Sequence, residues 1–109
     1  MIVIAGGDSM IWGSELADSP HGGVNGYSKQ TFTALLADAD QYICAAYPGS
    51  SNADIANNIK DTVSNNTNGI PFVIVCWTWP SRDKLLTSKR VITKTQDFLE
   101  YHNIPYLFT

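Results

Sequence analysis

The sequence predicts a three-layer α/β/α domain in which a mainly parallel sheet of about four strands lies between helices. Short apolar runs alternate along the chain with segments of helical periodicity, in the order β-α-β-α-β-α-β that produces parallel sheets. The 109 residues suit one domain, 1–109. Apolar residues make up 44% and charged residues 16%, a balance that excludes a disordered chain.

Four apolar runs predict the strands. Runs of this kind, bounded by Gly, Pro or polar residues, are typical of strands buried on both faces of a parallel sheet. The run at 70–77 has the strongest signal, and Pro71 suits a strand start, where a missing N–H donor does little harm. The predicted strands are 1–5, 41–46, 70–77 and 104–108.

Helical spacing of apolar residues predicts three helices between these strands. The middle helix has the clearest stripe, with Ile55, Ile59 and Val63 at intervals of four, and Ser50 or Ser51 is its predicted N-cap. The predicted helices are 27–37, 53–63 and 85–102, and the predicted loops are 8–26, 64–69 and 78–84.

Charge and composition exclude several classes of function. A net charge of −3 without a basic patch argues against a nucleic-acid partner, because phosphate binding needs clustered Lys and Arg. No apolar stretch is long enough to span a membrane and no signal peptide is evident, so we expect a cytoplasmic protein. Cys44 and Cys76 lie in apolar runs and are predicted to be buried free thiols. The histidines and cysteines lack ligand spacing, so no metal and no cofactor is predicted.

The loops that follow the first three strands share one edge of a parallel sheet, where such folds place their functional groups. The first loop reads Gly-Gly-Asp-Ser-Met-Ile-Trp-Gly, and its Ser9 can act as a nucleophile if a base takes its proton. In the alternative interpretation this loop is a polar turn, in which Asp8 and Ser9 only form hydrogen bonds with the backbone.

The second and third loops offer binding groups. Gly49 permits close backbone approach and Asn52 can donate an amide N–H to an oxyanion. Taken without the first loop, these residues are better explained as an ordinary strand-to-helix connection with a Ser cap. In the third loop, Trp77, Trp79 and Arg82 can line a pocket for a carboxylate or a sugar, and Thr78 is a further candidate binding residue. The alternative is that the two tryptophans of this loop pack on helices while the arginine is solvated.

Taken together, Gly7-Asp8-Ser9, then Gly49 with Asn52, then the loop at 77–82 resemble successive blocks of the SGNH (GDSL-type) hydrolases. The resemblance covers most of the chain, and the wording is closest to SGNH-like proteins of tailed bacteriophages. It implies a serine esterase that needs no cofactor and cleaves a small ester or an acetylated carbohydrate, in the host cytoplasm if phage-encoded. By the same resemblance, Ser9 is nucleophile and oxyanion donor, and the N–H of Gly49 is a second donor.

The chain departs from the family pattern at two places. The third block has Thr78 and Trp79 where the family has a Gly-x-Asn-Asp loop, so Asn52 is considered as a substitute donor. The family's Asp-x-x-His block follows the last strand and is absent here, which makes the predicted sheet truncated relative to the family. Asp18 and His21 have Asp-x-x-His spacing in the loop of Ser9, though not where the family has this motif, and are the candidate base pair. The alternative is chance spacing in a polar loop.

Three hypotheses about function remain open. The first is an esterase in which Ser9 attacks a carbonyl, with either His21 or a residue of another subunit as the base. The second is a non-catalytic SGNH-like binding or assembly protein with a protein partner or as a homo-oligomer, because an exposed sheet edge favours association. The third, a flavodoxin-like nucleotide binder, ranks last because the first loop lacks a phosphate cradle.

Overall fold

A computed structural model describes residues 2–13, 31–36, 42–66, 69–79 and 84–109. The predicted fold class is confirmed, because four strands form one all-parallel sheet with helices on its faces. The elements within the described residues are, in chain order, β1 (Val3–Gly6), α1 (Ser9–Trp12), α2 (Phe32–Leu36), β2 (Tyr42–Cys44), α3 (Asn52–Asn65), β3 (Phe72–Val75), α4 (Leu85–Tyr101) and β4 (Tyr106–Phe108).

The strands lie side by side in the order β2-β1-β3-β4. Val3 of β1 lies opposite Tyr42 of β2 on one side and Phe72 of β3 on the other, while Val73 lies opposite Tyr106 of β4. The chain therefore forms β2 on one side of β1 and then returns to form β3 on the other side. This reversal places a topological switch point between the carboxyl ends of β1 and β3, where open α/β sheets bind their ligands.

Successive strand residues face opposite sides of the sheet, so each side has its own apolar cluster. The larger cluster lies between the sheet and the helices α3 and α4, and the smaller one lies under α1. The buried members of the larger cluster are Ile4, Ile55, Ile59, Val73, Val75, Leu99 and Ile104, and those of the smaller one are Ala5, Ile11 and Ala46.

Helix α3 begins at a capping box formed by Ser51 and Asp54. The Ser51 hydroxyl accepts a hydrogen bond from the Asp54 N–H at 3.2 Å, and the Asp54 carboxylate accepts one from the Ser51 N–H at 3.1 Å. Ser50, the other predicted cap, instead donates its hydroxyl to the carbonyl of Tyr47 at 2.8 Å. The helix ends at Asn65, two residues beyond the predicted end, since it includes the polar residues Ser64 and Asn65 after the apolar stripe.

Two helices differ from their predicted extents. A helical turn, α1, stands where the sequence predicts a loop, and the N–H groups of Ile11 and Trp12 both donate to the carbonyl of Asp8. Helix α2 is described over Phe32–Leu36, and the rest of the predicted helix at 27–37 lies outside the described residues. Four residues are too few for a periodic apolar pattern, which is why α1 has no signature in the sequence.

Cys44 and Cys76 are free thiols, as predicted, but both are half-buried rather than fully buried. Burial raises the pKa of each thiol, and for Cys76 the nearby carboxylate of Asp8 raises it further. In the part of the chain that the structure describes, no helix combines the length and the apolar character that crossing a membrane requires.

Candidate functional site

The loop after β1 leaves the sheet at the switch point through two glycines. A Cβ on Gly7 would lie 2.5 Å from Cγ1 of Ile11, and a Cβ on Gly6 would lie 2.6 Å from Cδ1 of Ile59. Side chains at both positions would therefore collide with the two apolar clusters. Their absence lets the backbone turn within two residues, Gly7 and Asp8, from the end of β1 into α1, which begins at Ser9.

Asp8 connects the loop after β1 with the loop after β3. The Thr78 hydroxyl donates to Oδ2 of Asp8 at 2.8 Å, across 70 residues of sequence. The backbone strengthens the same junction, because the N–H of Cys76 donates to the carbonyl of Gly6 at 3.0 Å. The predicted binding residues Asp8 and Thr78 are therefore in direct contact beside the start of α1.

Asn52 holds the loop after β3 from the other side. Its side chain is 1% exposed, its Oδ1 accepts from the Thr78 N–H at 2.8 Å, and its Nδ2 donates to the Thr78 carbonyl at 3.2 Å. The same Nδ2 also donates to the hydroxyl of Ser88 in α4 at 3.1 Å. These bonds make Asn52 a positioning residue for Thr78, and its role as an oxyanion donor stays a prediction.

Gly49 lies in a tight turn at the same edge of the sheet. The Ser50 N–H donates to the carbonyl of Tyr47 at 3.3 Å, and the φ of Gly49 is 78°. Pro48 followed by a residue with positive φ is the sequence of a type II turn, which favours glycine in the third position. The Tyr47 N–H donates to the carbonyl of Gly7 at 3.3 Å, so this turn is tied to the loop that carries Ser9.

The two described tryptophans of the third loop have different environments. Trp77 packs edge-on against Phe108, with ring centroids 5.2 Å apart, and belongs to the border of the larger apolar cluster. Trp79 is 72% exposed. Trp77 is therefore packed, although its ring contact is with Phe108 of β4 rather than with a helix, and Trp79 is exposed.

Several predicted site residues fall on parts of the chain without a description. Asp18, His21 and Arg82 lie outside the described residues, and Ser9 is described by its backbone as the first residue of α1. His102 is the C-cap of α4 and lines a cavity with Ile70 and Pro71, beside the amino end of β3. His102 is thus at the opposite end of the sheet from Ser9.

Ser88 belongs to the hydrogen bonds around Asn52 but was not identified from the sequence. Ser88 is buried and receives the second hydrogen bond of the Asn52 amide. Its signal was a small polar residue on the inner stripe of α4, seven positions before Thr95 and eleven before Leu99, both of which are buried. A hydroxyl at such a position needs a partner when the helix packs on a sheet.

The described residues contain no group of three or more His, Cys, Asp or Glu side chains that could hold a metal ion. In comparisons with family models, with curated proteins and with solved structures, nothing matches the chain.

Proposed function

We propose that the chain is an SGNH-like serine hydrolase of carboxylic esters with Ser9 as its nucleophile. The observation that carries this proposal is the position of Ser9, directly after the central strand β1 and at the switch point. Ligand sites of open α/β sheets lie at this place, and a serine there can meet a substrate that enters from the carboxyl edge.

The proposed reaction has two steps. The Ser9 hydroxyl oxygen attacks the carbonyl carbon of the ester while a base takes its proton, and the tetrahedral intermediate then expels the alcohol, which receives that proton. Water next attacks the acyl-enzyme, the acid leaves, and Ser9 regains its proton. We assign the base to His21 with Asp18 as its partner, on the strength of their spacing in the loop of Ser9.

The hydrogen bonds around Thr78 support this proposal, because they hold the site's walls in place before a substrate arrives. The Asp8 carboxylate accepts a hydrogen bond from the Thr78 hydroxyl, and the Asn52 amide bonds the N–H and the carbonyl of Thr78. The loop after β3 is therefore held from two sides. Fixed dipoles stabilise developing charge without the cost of reorganisation. The N–H groups of Ser9 and Gly49 are the donors that the resemblance assigns to the oxyanion.

Turnover of p-nitrophenyl acetate by purified protein tests the proposal. We expect Ser9→Ala to reduce the rate to that of buffer, and His21→Ala to lower kcat/KM by about 10²–10⁴-fold, the usual contribution of a general base. Ser64→Ala is the matched control, because Ser64 is an exposed serine near the end of α3, and it should turn over at the parental rate. Equal rates for Ser9→Ala and the parent would contradict the proposal.

A second function, a non-catalytic SGNH-like binding or assembly protein, is favoured by the position of His102. This histidine of the described chain lies at the far end of the sheet, and the amide of Asn52 donates to groups of the protein itself. A folded protein without turnover, with Ser9→Ala indistinguishable from the parent in every assay, would favour this function over the esterase.

A further inference from the structure

An open groove of about 610 Å³ lies beside the carboxyl end of β2, and Asp8, Thr78 and Asn52 are not among the described residues that line it. One wall is the chain from Cys44 to Ser50, which contains the last residue of β2 and the turn after it. The other wall is the side of α3 that carries Asp54, Asn58 and Asp61. The groove is therefore bounded by a strand edge on one side and by a helix on the other.

The strand wall presents backbone groups as well as side chains. Among the described residues β2 pairs only with β1, so it is an outer strand of the sheet. Cys44, the last residue of β2, and the two residues that follow it, Ala45 and Ala46, all line the groove, so the groove meets the chain where this outer strand ends.

The hydrogen-bond pattern shows which backbone groups point into the groove. The N–H of Ala45 donates to the carbonyl of Ala5 at 2.7 Å, so the backbone of Ala45 points towards β1. Neighbouring residues of a strand direct their N–H and C=O groups to opposite edges, and those of Cys44 therefore point away from β1. An outward N–H and C=O pair of this kind is what an added strand binds.

The helix wall is acidic. Asp54, Asn58 and Asp61 recur at intervals of four and three residues, so they share one side of α3. Both aspartates are exposed, and no Lys or Arg is among the described residues that line the groove. The Tyr47 ring, 61% exposed and 5.4 Å from the Trp12 ring, adds an aromatic surface at the strand wall.

We propose that this groove binds an extended, basic peptide segment of a partner protein, which adds to β2 as a parallel or antiparallel strand. The backbone of the peptide pairs with Cys44, and its Lys or Arg side chains meet Asp54 and Asp61. A basic side chain can also lay its apolar stem, or an Arg its guanidinium, against the Tyr47 ring. The acidic wall selects the charge of the segment, and the strand edge selects its extended conformation.

The geometry of α3 sets the spacing of the basic residues. A helix rises about 1.5 Å per residue, so Asp54 and Asp61 lie about 10 Å apart along its axis. An extended chain advances about 3.3 Å per residue and repeats its side every second residue. Basic residues at positions i and i+4 of the peptide, about 13 Å apart, therefore suit both aspartates within the length of their flexible side chains.

Binding of a fluorescein-labelled peptide of sequence Thr-Lys-Val-Thr-Val-Lys-Thr-Val, followed by fluorescence anisotropy, tests the proposal. We expect saturable binding that weakens about two- to fivefold in Asp61→Asn, the range for one exposed ion pair. Asp97→Asn on α4 is the matched control and should bind like the parent, because Asp97 is equally exposed but does not line the groove. Asp61 is preferred to Asp54 because Asp54 also belongs to the capping box of α3.

Two further peptides separate the contributions of charge and backbone. Replacement of both lysines by glutamate should abolish binding, and N-methylation of alternate residues should abolish it with the charge unchanged, since a methylated nitrogen cannot donate. The proposal is overturned if the parent peptide does not bind, if Asp61→Asn and Asp97→Asn weaken binding equally, or if the N-methylated peptide binds like the parent one. If no peptide binds and the protein instead forms a dimer that Asp61→Lys does not disrupt, the groove is not the binding site and the proposal is likewise overturned.

Discussion

Asn52 is the residue whose side chain contributes most to the geometry of the switch point. Its amide bonds both the N–H and the carbonyl of Thr78 and also the hydroxyl of Ser88, all while it is buried. Thr78 in turn bonds Asp8, the neighbour of the proposed nucleophile. We therefore expect a change at Asn52 to affect Ser9 through this chain of contacts.

Asn52→Ala should lower the free energy of unfolding by about 2–3 kcal/mol, because it leaves the half-buried backbone groups of Thr78 and the buried hydroxyl of Ser88 without this partner. Urea denaturation followed by circular dichroism measures the change. Asn57→Ala, an exposed position of the same helix, should stay within about 0.5 kcal/mol of the parent. Equal stability of the two variants would show that the Asn52 bonds contribute nothing net.

Tyr42 predicts a loss of stability at alkaline pH. Burial raises its pKa from 10.0 to about 12, and its hydroxyl lies 2.9 Å from that of Thr33. Because the folded state prefers the neutral phenol, its contribution is complete below pH 10 and is lost as the pH rises from 10 towards 12. The free energy of unfolding should fall over that window, and Tyr42→Phe should fall less steeply in the same urea titrations. Parallel pH profiles for the two proteins would contradict this assignment.

Helix α3 is the element that contributes to both the switch point and the groove. Its first residue is Asn52, and its exposed side carries the acidic wall beside β2. The capping box at its start fixes the direction in which the chain enters the helix. The conformation of the first helical turn therefore determines where the Asn52 amide contacts the loop after β3.

Ser51→Ala should lower the free energy of unfolding by about 1 kcal/mol, the usual cost of losing an N-cap. The Ser51 hydroxyl accepts from the Asp54 N–H, and alanine leaves that donor to water. The unfolding of Ser50→Ala should be compared with that of Ser51→Ala, since the Ser50 hydroxyl donates to the Tyr47 carbonyl and does not cap a helix N–H. Thermal unfolding monitored at 222 nm would contradict the cap assignment if Ser51→Ala melted at the parental temperature.

How well each element could be predicted depends on the range of its interactions. The apolar stripe of Ile55, Ile59 and Val63 is local, and the helix it predicts is present. The sequence left open whether Ser50 or Ser51 is the cap. The choice depends on which backbone group each hydroxyl bonds in the folded chain, the Tyr47 carbonyl for Ser50 and the Asp54 N–H for Ser51. The bonds from Asn52 to Thr78 and Ser88 join residues 26 and 36 positions apart, and no spacing in the sequence indicates them.

At the scale of the whole molecule, the strand order gives the chain one place where its loops converge. Alternation of apolar and helical segments predicted parallel strands, but it could not predict the order β2-β1-β3-β4, which depends on where each crossover returns. That order puts β1 and β3 in the centre and brings Asp8 and Thr78 together. The esterase proposal follows from this convergence, whereas the peptide groove follows from the outer position of β2.

The most direct test of the esterase proposal is the reaction of the folded protein with a fluorophosphonate probe, followed by intact-mass spectrometry. The proposal predicts one probe adduct per chain, which is lost in Ser9→Ala, retained in Ser64→Ala and slowed in His21→Ala. No adduct on a sample that unfolds cooperatively in urea, or an adduct that persists in Ser9→Ala, would contradict an activated serine at the switch point.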